Sequence, residues 1–149
     1  MTENKKARFE YEILETCEAG LALTGDEVKS LRNGGMRLEG AFVRPLQDGL
    51  WLIGANIARY QKQGHPEPHD PIRSRKLLVR KKELGYFKGK LQEKGLTLVP
   101  LRVYPSGRRF KLLFGLGRGK RLHDKRAAIK ERDLRRLTGR AIRGDKNLD

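Results

Sequence analysis

The chain has 149 residues, with 34 Lys and Arg against 18 Asp and Glu, a formal net charge of +16 and a pI of about 10.4. That length fits one domain with an appendage, and that charge repels itself in isolation and seeks a polyanion, of which nucleic acid is the leading candidate. A single cysteine, Cys17, excludes an internal disulfide, no run reaches the ~20 apolar residues a membrane span needs, and the polar, basic residues 1–8 give no sign of a signal peptide.

Residues 9–15 alternate, with Phe9, Tyr11 and Ile13 on one side and Glu10 and Glu12 on the other. A period of two predicts a half-buried strand. Ala19-Gly20-Leu21-Ala22-Leu23 predicts a second strand after a short turn. Thr24-Gly25-Asp26-Glu27 has the spacing of a capping box, in which the Thr24 hydroxyl accepts the Glu27 amide and the Glu27 carboxylate reaches back. The helix it opens runs through Val28, Leu31 and Arg32 and stops at Asn33-Gly34-Gly35.

Residues 41–46 and 50–58 read as strands around a hairpin loop, Gln47-Asp48-Gly49. Residues 61–71, broken by Gly64, Pro66, Pro68 and Pro71, read as the main internal loop, and residues 76–79 as another strand. Over residues 81–94 the period becomes helical, with Leu84, Phe87 and Leu91 on one stripe against Lys81, Lys82, Lys88 and Lys90. Gly85 and Gly89 inside that helix each cost about 1 kcal/mol relative to Ala, which points to close packing or the close approach of another backbone. Residues 96–104 and 109–116 are two further strands around Pro105-Ser106-Gly107. About seven short hairpin-connected strands with two helices suit a mainly β architecture, a Greek-key or partly open barrel, with a small α+β sandwich as the alternative.

Residues 118–149 carry 12 Lys and Arg against 5 Asp and Glu. So charged a segment, with so few large apolar residues, cannot fold alone and is expected to take shape on a polyanion. The chain therefore divides into a body, residues 1–117, and a basic tail, residues 118–149, whose helix-forming stretch 124–137 can be capped by Asp124. Gly115-Leu-Gly-Arg-Gly119 reads as the hinge between them.

No catalytic constellation is present, and no cofactor or metal is implied. His65 and His69 flank Pro-Glu-Pro, which prevents the regular helix that would align them as ligands. Cys17 reads as a small residue in or near the core. Glu27 is a cap whose second carboxylate oxygen is left to accept a base edge or a ribose hydroxyl. Arg73-Ser-Arg-Lys76 and Arg80-Lys81-Lys82 suit phosphates, and Tyr60, Tyr86 and Tyr104 could stack on bases, while Phe87 belongs to the core stripe and Trp51 to a half-buried strand position.

These residues, taken in order, resemble the SmpB family, the SsrA-binding proteins of bacteria. The resemblance covers nearly the whole chain. It rests on Asn4-Lys5-Lys6-Ala7-Arg8, Tyr11, Glu18-Ala19-Gly20-Leu21, residues 25–32, Gly54-Ala55-Asn56-Ile57, Asp70-Pro71 with residues 73–78, Lys94-Gly95-Leu96-Thr97, residues 119–126 and Lys130-Glu131-Arg132. It implies an OB-like antiparallel β-barrel with two to three flanking helices and a basic C-terminal tail. It implies a cytoplasmic adaptor, not an enzyme, that binds the tRNA-like domain of transfer-messenger RNA (tmRNA) in trans-translation. The tail would enter the decoding centre and empty mRNA channel of the small subunit of a stalled ribosome, with alanyl-tmRNA and elongation factor Tu in the same complex. The alternative is a general single-strand RNA-binding or ribosomal OB-fold protein.

By position, the resemblance implies tmRNA contacts from Asn4, Lys5, Arg8, Glu27, Lys29, Asn56, Arg75 and Lys76. Gly119 would be the hinge. Lys120, His123, Asp124, Lys125, Arg126, Ile129, Lys130 and Arg132 would meet the decoding centre and mRNA channel, with His123 stacking on a base. Gly115 and Gly117 depart from the family pattern of larger residues, which predicts an early end to the last strand.

Overall fold

The computed structural model describes residues 2–46, 48–60 and 69–120. In chain order the elements are β1 (Thr2–Glu3), α1 (Lys5–Glu10), β2 (Tyr11–Leu21), α2 (Gly25–Arg32), β3 (Met36–Arg37) and β4 (Phe42–Leu46). The second half holds β5 (Gly49–Ile53), β6 (Asn56–Ile57), β7 (Arg75–Leu78), α3 (Lys81–Lys90), β8 (Leu96–Ser106) and β9 (Arg109–Gly119). Seven strands bond antiparallel in the order β1-β8-β4-β5-β7-β2-β9, and the further pairing of β8 with β9 closes the bonding into a ring. The expected mainly β body is therefore present, with ring-like strand bonding and, among the described residues, three helices. β3 and β6 form a separate two-stranded ladder through Met36 and Ile57.

The core follows the period of two along these strands. Leu50 and Leu52 of β5, Leu112 and Phe114 of β9, and Leu98 and Val103 of β8 are fully buried. Helix α3 docks by Phe87, whose ring lies edge-on to Phe114 at 5.4 Å between centroids. A smaller apolar cluster of Ala7, Val99 and Leu101 seats α1 on β8.

Residues 9 and 10 close a helix, so the expected strand starts at Tyr11. Asn4 decides this: its Oδ1 accepts the Ala7 N–H at 3.2 Å, and Lys5, Lys6, Ala7 and Arg8 behind it are good helix formers. The alternation of Phe9, Tyr11 and Ile13 straddles the junction of two elements. The turn expected before Ala19 is also absent, because β2 runs on to Leu21 and takes up one extra residue in a bulge between Ile13 and Glu15. Conversely, the expected strand over residues 50–58 divides at Gly54 into β5 and β6, and α3 ends at Lys90, short of residue 94.

The α2 capping box forms as read, with Thr24 Oγ1 accepting the Glu27 N–H at 3.2 Å and Glu27 Oε1 accepting the Thr24 N–H at 3.0 Å. Gly34 stops the helix at φ +74°, a conformation that favours glycine. The last strand does not end early. β9 runs to Gly119, two residues past the expected body boundary, because Gly115 makes room for the β2 bulge: a Cβ there would lie 2.8 Å from Ile13 Cγ2 and 3.2 Å from the Glu15 carbonyl oxygen.

Candidate nucleic-acid interface

Four basic or polar positions expected at the RNA surface are exposed: Lys5 and Arg8 on α1, Lys29 on α2 and Asn56 on β6. Lys29 Nζ sits 5.6 Å from the centre of the Tyr60 ring, so a cation and an aromatic face are presented together. Asn56 pairs across the small ladder with Arg37, another exposed cation. Lys76 is partly exposed and ion-paired with Asp48 at 3.5 Å, and the Trp51 indole N–H donates to the same carboxylate at 3.0 Å.

The remaining three body positions are buried. Asn4 is 4 % exposed, and its Nδ2 donates to the carbonyls of Pro100 at 2.9 Å and Leu38 at 3.4 Å. Its own N–H donates to the Leu101 carbonyl at 2.8 Å, so it fixes α1 against β8 and thereby aims Lys5 and Arg8 outward. Glu27 has no oxygen left open for RNA, which corrects the expectation of a free acceptor. Oε1 accepts from the Thr24 amide and the Arg73 guanidinium, and Oε2 accepts from Arg75 Nε at 2.8 Å.

Arg75, 0 % exposed, spends its other donors on the carbonyls of Ala55 at 2.8 Å and Pro71 at 3.2 Å. The Arg73-Ser-Arg-Lys76 run is thus no solvated phosphate cradle. One of its arginines is interior, and Arg73, 40 % exposed, binds the same glutamate. Burial alone would push the Glu27 carboxyl up. The Arg73 guanidinium, the Thr24 backbone N–H and Arg75 outweigh it and hold the carboxyl below the ordinary 4.5. The network joins α2, the Ala55 carbonyl just ahead of β6 and the residues that lead into β7, and so ties together the elements that carry Lys29 and Asn56.

A second group of cations lies at the other end of the chain. The Lys120 N–H donates to the Glu10 carbonyl at 2.9 Å, and Gly119 pairs with Tyr11. The end of β9 therefore lies against the junction of α1 and β2, beside Lys5, Lys6 and Arg8. A cleft of about 320 Å³ opens next to it, lined by Lys6, Tyr11, Phe42, Arg44 and Thr97. The Arg44 guanidinium lies 5.3 Å from the Phe42 ring centre. Sequence reading missed Phe42 and Arg44, which reach α1 because β8 pairs with β4 and packs against Ala7, a contact between distant segments that leaves no local signal. Gly119 is strand here, and a Cβ on it would meet nothing within 4 Å. His123, Asp124, Lys125, Arg126, Ile129, Lys130 and Arg132 lie outside the described residues, as does His65.

Among the described residues, no group of three or more His, Cys, Asp or Glu could hold a metal. His69 Nε2 is 2.8 Å from the Ile57 carbonyl oxygen. The Cys17 thiol is pushed up to about 12 by burial and by its hydrogen bond to Glu83, which leaves almost no thiolate at neutral pH. No helix of the described residues is long and apolar enough to cross a membrane.

The fold and the site define a small ring of antiparallel strands, rimmed by exposed cations and aromatics and followed in sequence by a basic segment. The SmpB protein family model matches residues 1–144. The SsrA-binding protein of Rhodopirellula baltica is 50 % identical over 144 residues, covering 96 % of this chain and 81 % of that protein. That of Chloroflexus aggregans is 46 % identical over 143 residues, covering 96 % of this chain and 90 % of its own. A solved chain described as "tmRNA-SmpB: a journey to the center of the bacterial ribosome" superposes with a TM-score of 0.67 at 49 % identity, covering 85 % of this chain and 92 % of that one. The chain belongs to the SmpB family.

Proposed function

We propose that this protein is the tmRNA-binding adaptor of trans-translation, which rescues stalled ribosomes by presenting the tRNA-like domain of tmRNA to an empty decoding site. Membership of the SmpB family over residues 1–144 is the observation that carries this reading. A net charge of +16 supplies the electrostatic term that tRNA-shaped polyanions need. The role is one of binding and shape, without a catalytic step, and its setting is the cytoplasm with elongation factor Tu in the same complex.

The two ends of the site suggest a division of labour. The body holds the tRNA-like domain through exposed Lys5, Arg8, Lys29, Asn56 and Lys76. Asn4, Glu27 and Arg75 position those residues from within. The segment from Lys120, through His123, Asp124, Lys125, Arg126, Ile129, Lys130 and Arg132, serves the decoding centre and mRNA channel, and it starts where Gly119 ends β9.

The test is a binding titration of the full chain against the tRNA-like domain at several salt concentrations, with an elongator tRNA as control. Tight binding at physiological salt that clearly exceeds the control is expected. Equal and steeply salt-sensitive binding to both RNAs would overturn the adaptor reading. Truncation after Arg118 should preserve binding to the tRNA-like domain and abolish tagging on stalled ribosomes. Tagging by the truncated protein would overturn the division of labour.

A further inference from the structure

Tyr86 is held in an unusual way for an exposed tyrosine. It is 45 % exposed, yet its hydroxyl lies 2.6 and 2.8 Å from the two carboxylate oxygens of Glu15 on β2. Its ring stands edge-on to Phe87 at 5.3 Å, and Phe87 in turn stands edge-on to the core residue Phe114. Lys90 Nζ lies 5.9 Å from the ring centre. The side chain is therefore fixed at its tip and braced at its edge while nearly half of it remains in solvent. A preset aromatic face loses little freedom when a flat ligand stacks on it.

That ring lines a cleft of about 300 Å³ between β2 and α3, together with Thr16, Cys17, Lys82, Glu83 and Phe87. The volume is at the lower end of small-ligand pockets and suits one planar group. The surrounding charge suits a nucleotide, since Lys81, Lys82 and Lys88 are exposed on α3 and Lys90 is partly exposed. The carboxylates of Glu15 and Glu83 can only accept hydrogen bonds, so a base edge that faces them must carry a donor, which an exocyclic amino group supplies. Gly85 and Gly89 add a further observation. A Cβ at either would meet nothing within 4 Å, so no packing within the described residues accounts for two glycines inside a helix. A low surface at those positions leaves room for an RNA backbone.

We propose that the Tyr86 cleft receives one unpaired base of the RNA bound by the body, the tRNA-like domain, and that this base carries an exocyclic amino group. The base stacks on Tyr86, its amino group donates to Glu15 or Glu83, and Lys82 and Lys90 face the flanking phosphates. The inference rests on the RNA-adaptor reading and adds to it a site made wholly of body elements.

The experiment is a backbone-amide NMR titration of the full chain with the tRNA-like domain, paired with affinities of Tyr86→Phe and Tyr86→Leu. Saturable shifts at residues 15–17 and 82–89 are expected. Tyr86→Leu, which keeps an apolar contact with Phe87 but has no ring, should lose roughly tenfold in affinity at an unchanged melting temperature. Tyr86→Phe should keep most of the binding. Binding of the RNA with no shift at these residues, or with full affinity in a folded Tyr86→Leu protein, would overturn the cleft assignment alone. Failure of the wild-type chain to bind this RNA would overturn the adaptor reading and the cleft with it. Short oligonucleotides extend the test: oligo(U), which has no exocyclic amino group, should shift these residues less than oligo(A) or oligo(C), and equal shifts would overturn the amino-group requirement.

Discussion

Arg75 and Glu27 are 48 positions apart in sequence and meet inside the protein, where they are 0 % and 2 % exposed and joined by a 2.8 Å bond from Nε to Oε2. The pair ties the start of β7 to the first turn of α2. Removing Glu27 leaves Arg75 buried without a counterion, which costs about 3–5 kcal/mol, whereas removing Arg75 leaves Glu27 paired with Arg73. Glu27→Leu should therefore lower stability by that order in urea unfolding. The double variant Glu27→Leu with Arg75→Met should recover much of the loss, because it buries no orphan charge. Equal stability of wild type and Glu27→Leu would show that the pair contributes nothing.

The same carboxylate gives the protein an acid sensitivity with a defined sign. Glu27 titrates below its ordinary 4.5 in the folded protein, so its contribution is fully present above that pH and is lost as pH falls through the folded value. Glu27→Gln should be less stable than wild type at neutral pH, with a gap that narrows as the pH drops below 4.5. Melting temperatures of both proteins across that range check this. A gap that stays constant on acidification would assign the acid sensitivity elsewhere.

Gly115 is fixed by its neighbours, with Ile13 Cγ2 only 2.8 Å from where a Cβ would stand. Overpacking of this kind costs about 1–3 kcal/mol. Gly115→Val should fall in or above that range, whereas Gly119→Ala, in open space, should stay within about 0.5 kcal/mol of wild type. Thermal unfolding of the two variants side by side makes the comparison. If Gly115→Val melts like wild type, β2 and β9 are not as close as described.

Exposed Lys5 and Arg8 on α1 should each release counterions on binding RNA. Replacing either with Ala should flatten the log–log salt dependence of tRNA-like-domain affinity by about one unit, at constant stability. Titrations at four or more salt concentrations measure that slope. A slope equal to wild type for both variants would remove α1 from the interface.

Local chemistry made much of this molecule legible. The α2 capping box forms where read, the Phe87 stripe docks α3 although the helix ends at Lys90, and the hairpin across Asp48 forms with Gly49 already in its second strand. The N-terminal helix was hidden because its cap, Asn4, is secured by carbonyls of residues 38 and 100, far away in sequence. The interior position of Arg75 had no local signature either, since an arginine amid basic neighbours looks like surface until Glu27 and two carbonyls converge on it. Resemblance named a set of positions, and packing separates those that face outward, such as Lys5, Arg8, Lys29 and Asn56, from the buried Asn4, Glu27 and Arg75.

The pairing at the end of β9 has a consequence for how far the tail can reach. Arg118 is bonded into ladders on both sides, to Glu12 and to Leu96, and Lys120 is still tied to Glu10. The tail thus starts from a rigid frame and not from a slack tether, so distance along it is counted from a fixed origin. Inserting residues just after Lys120 would therefore leave that origin at Lys120 unmoved and lengthen only the chain that follows it. The body sets the zero mark from which the reach of the basic segment is counted.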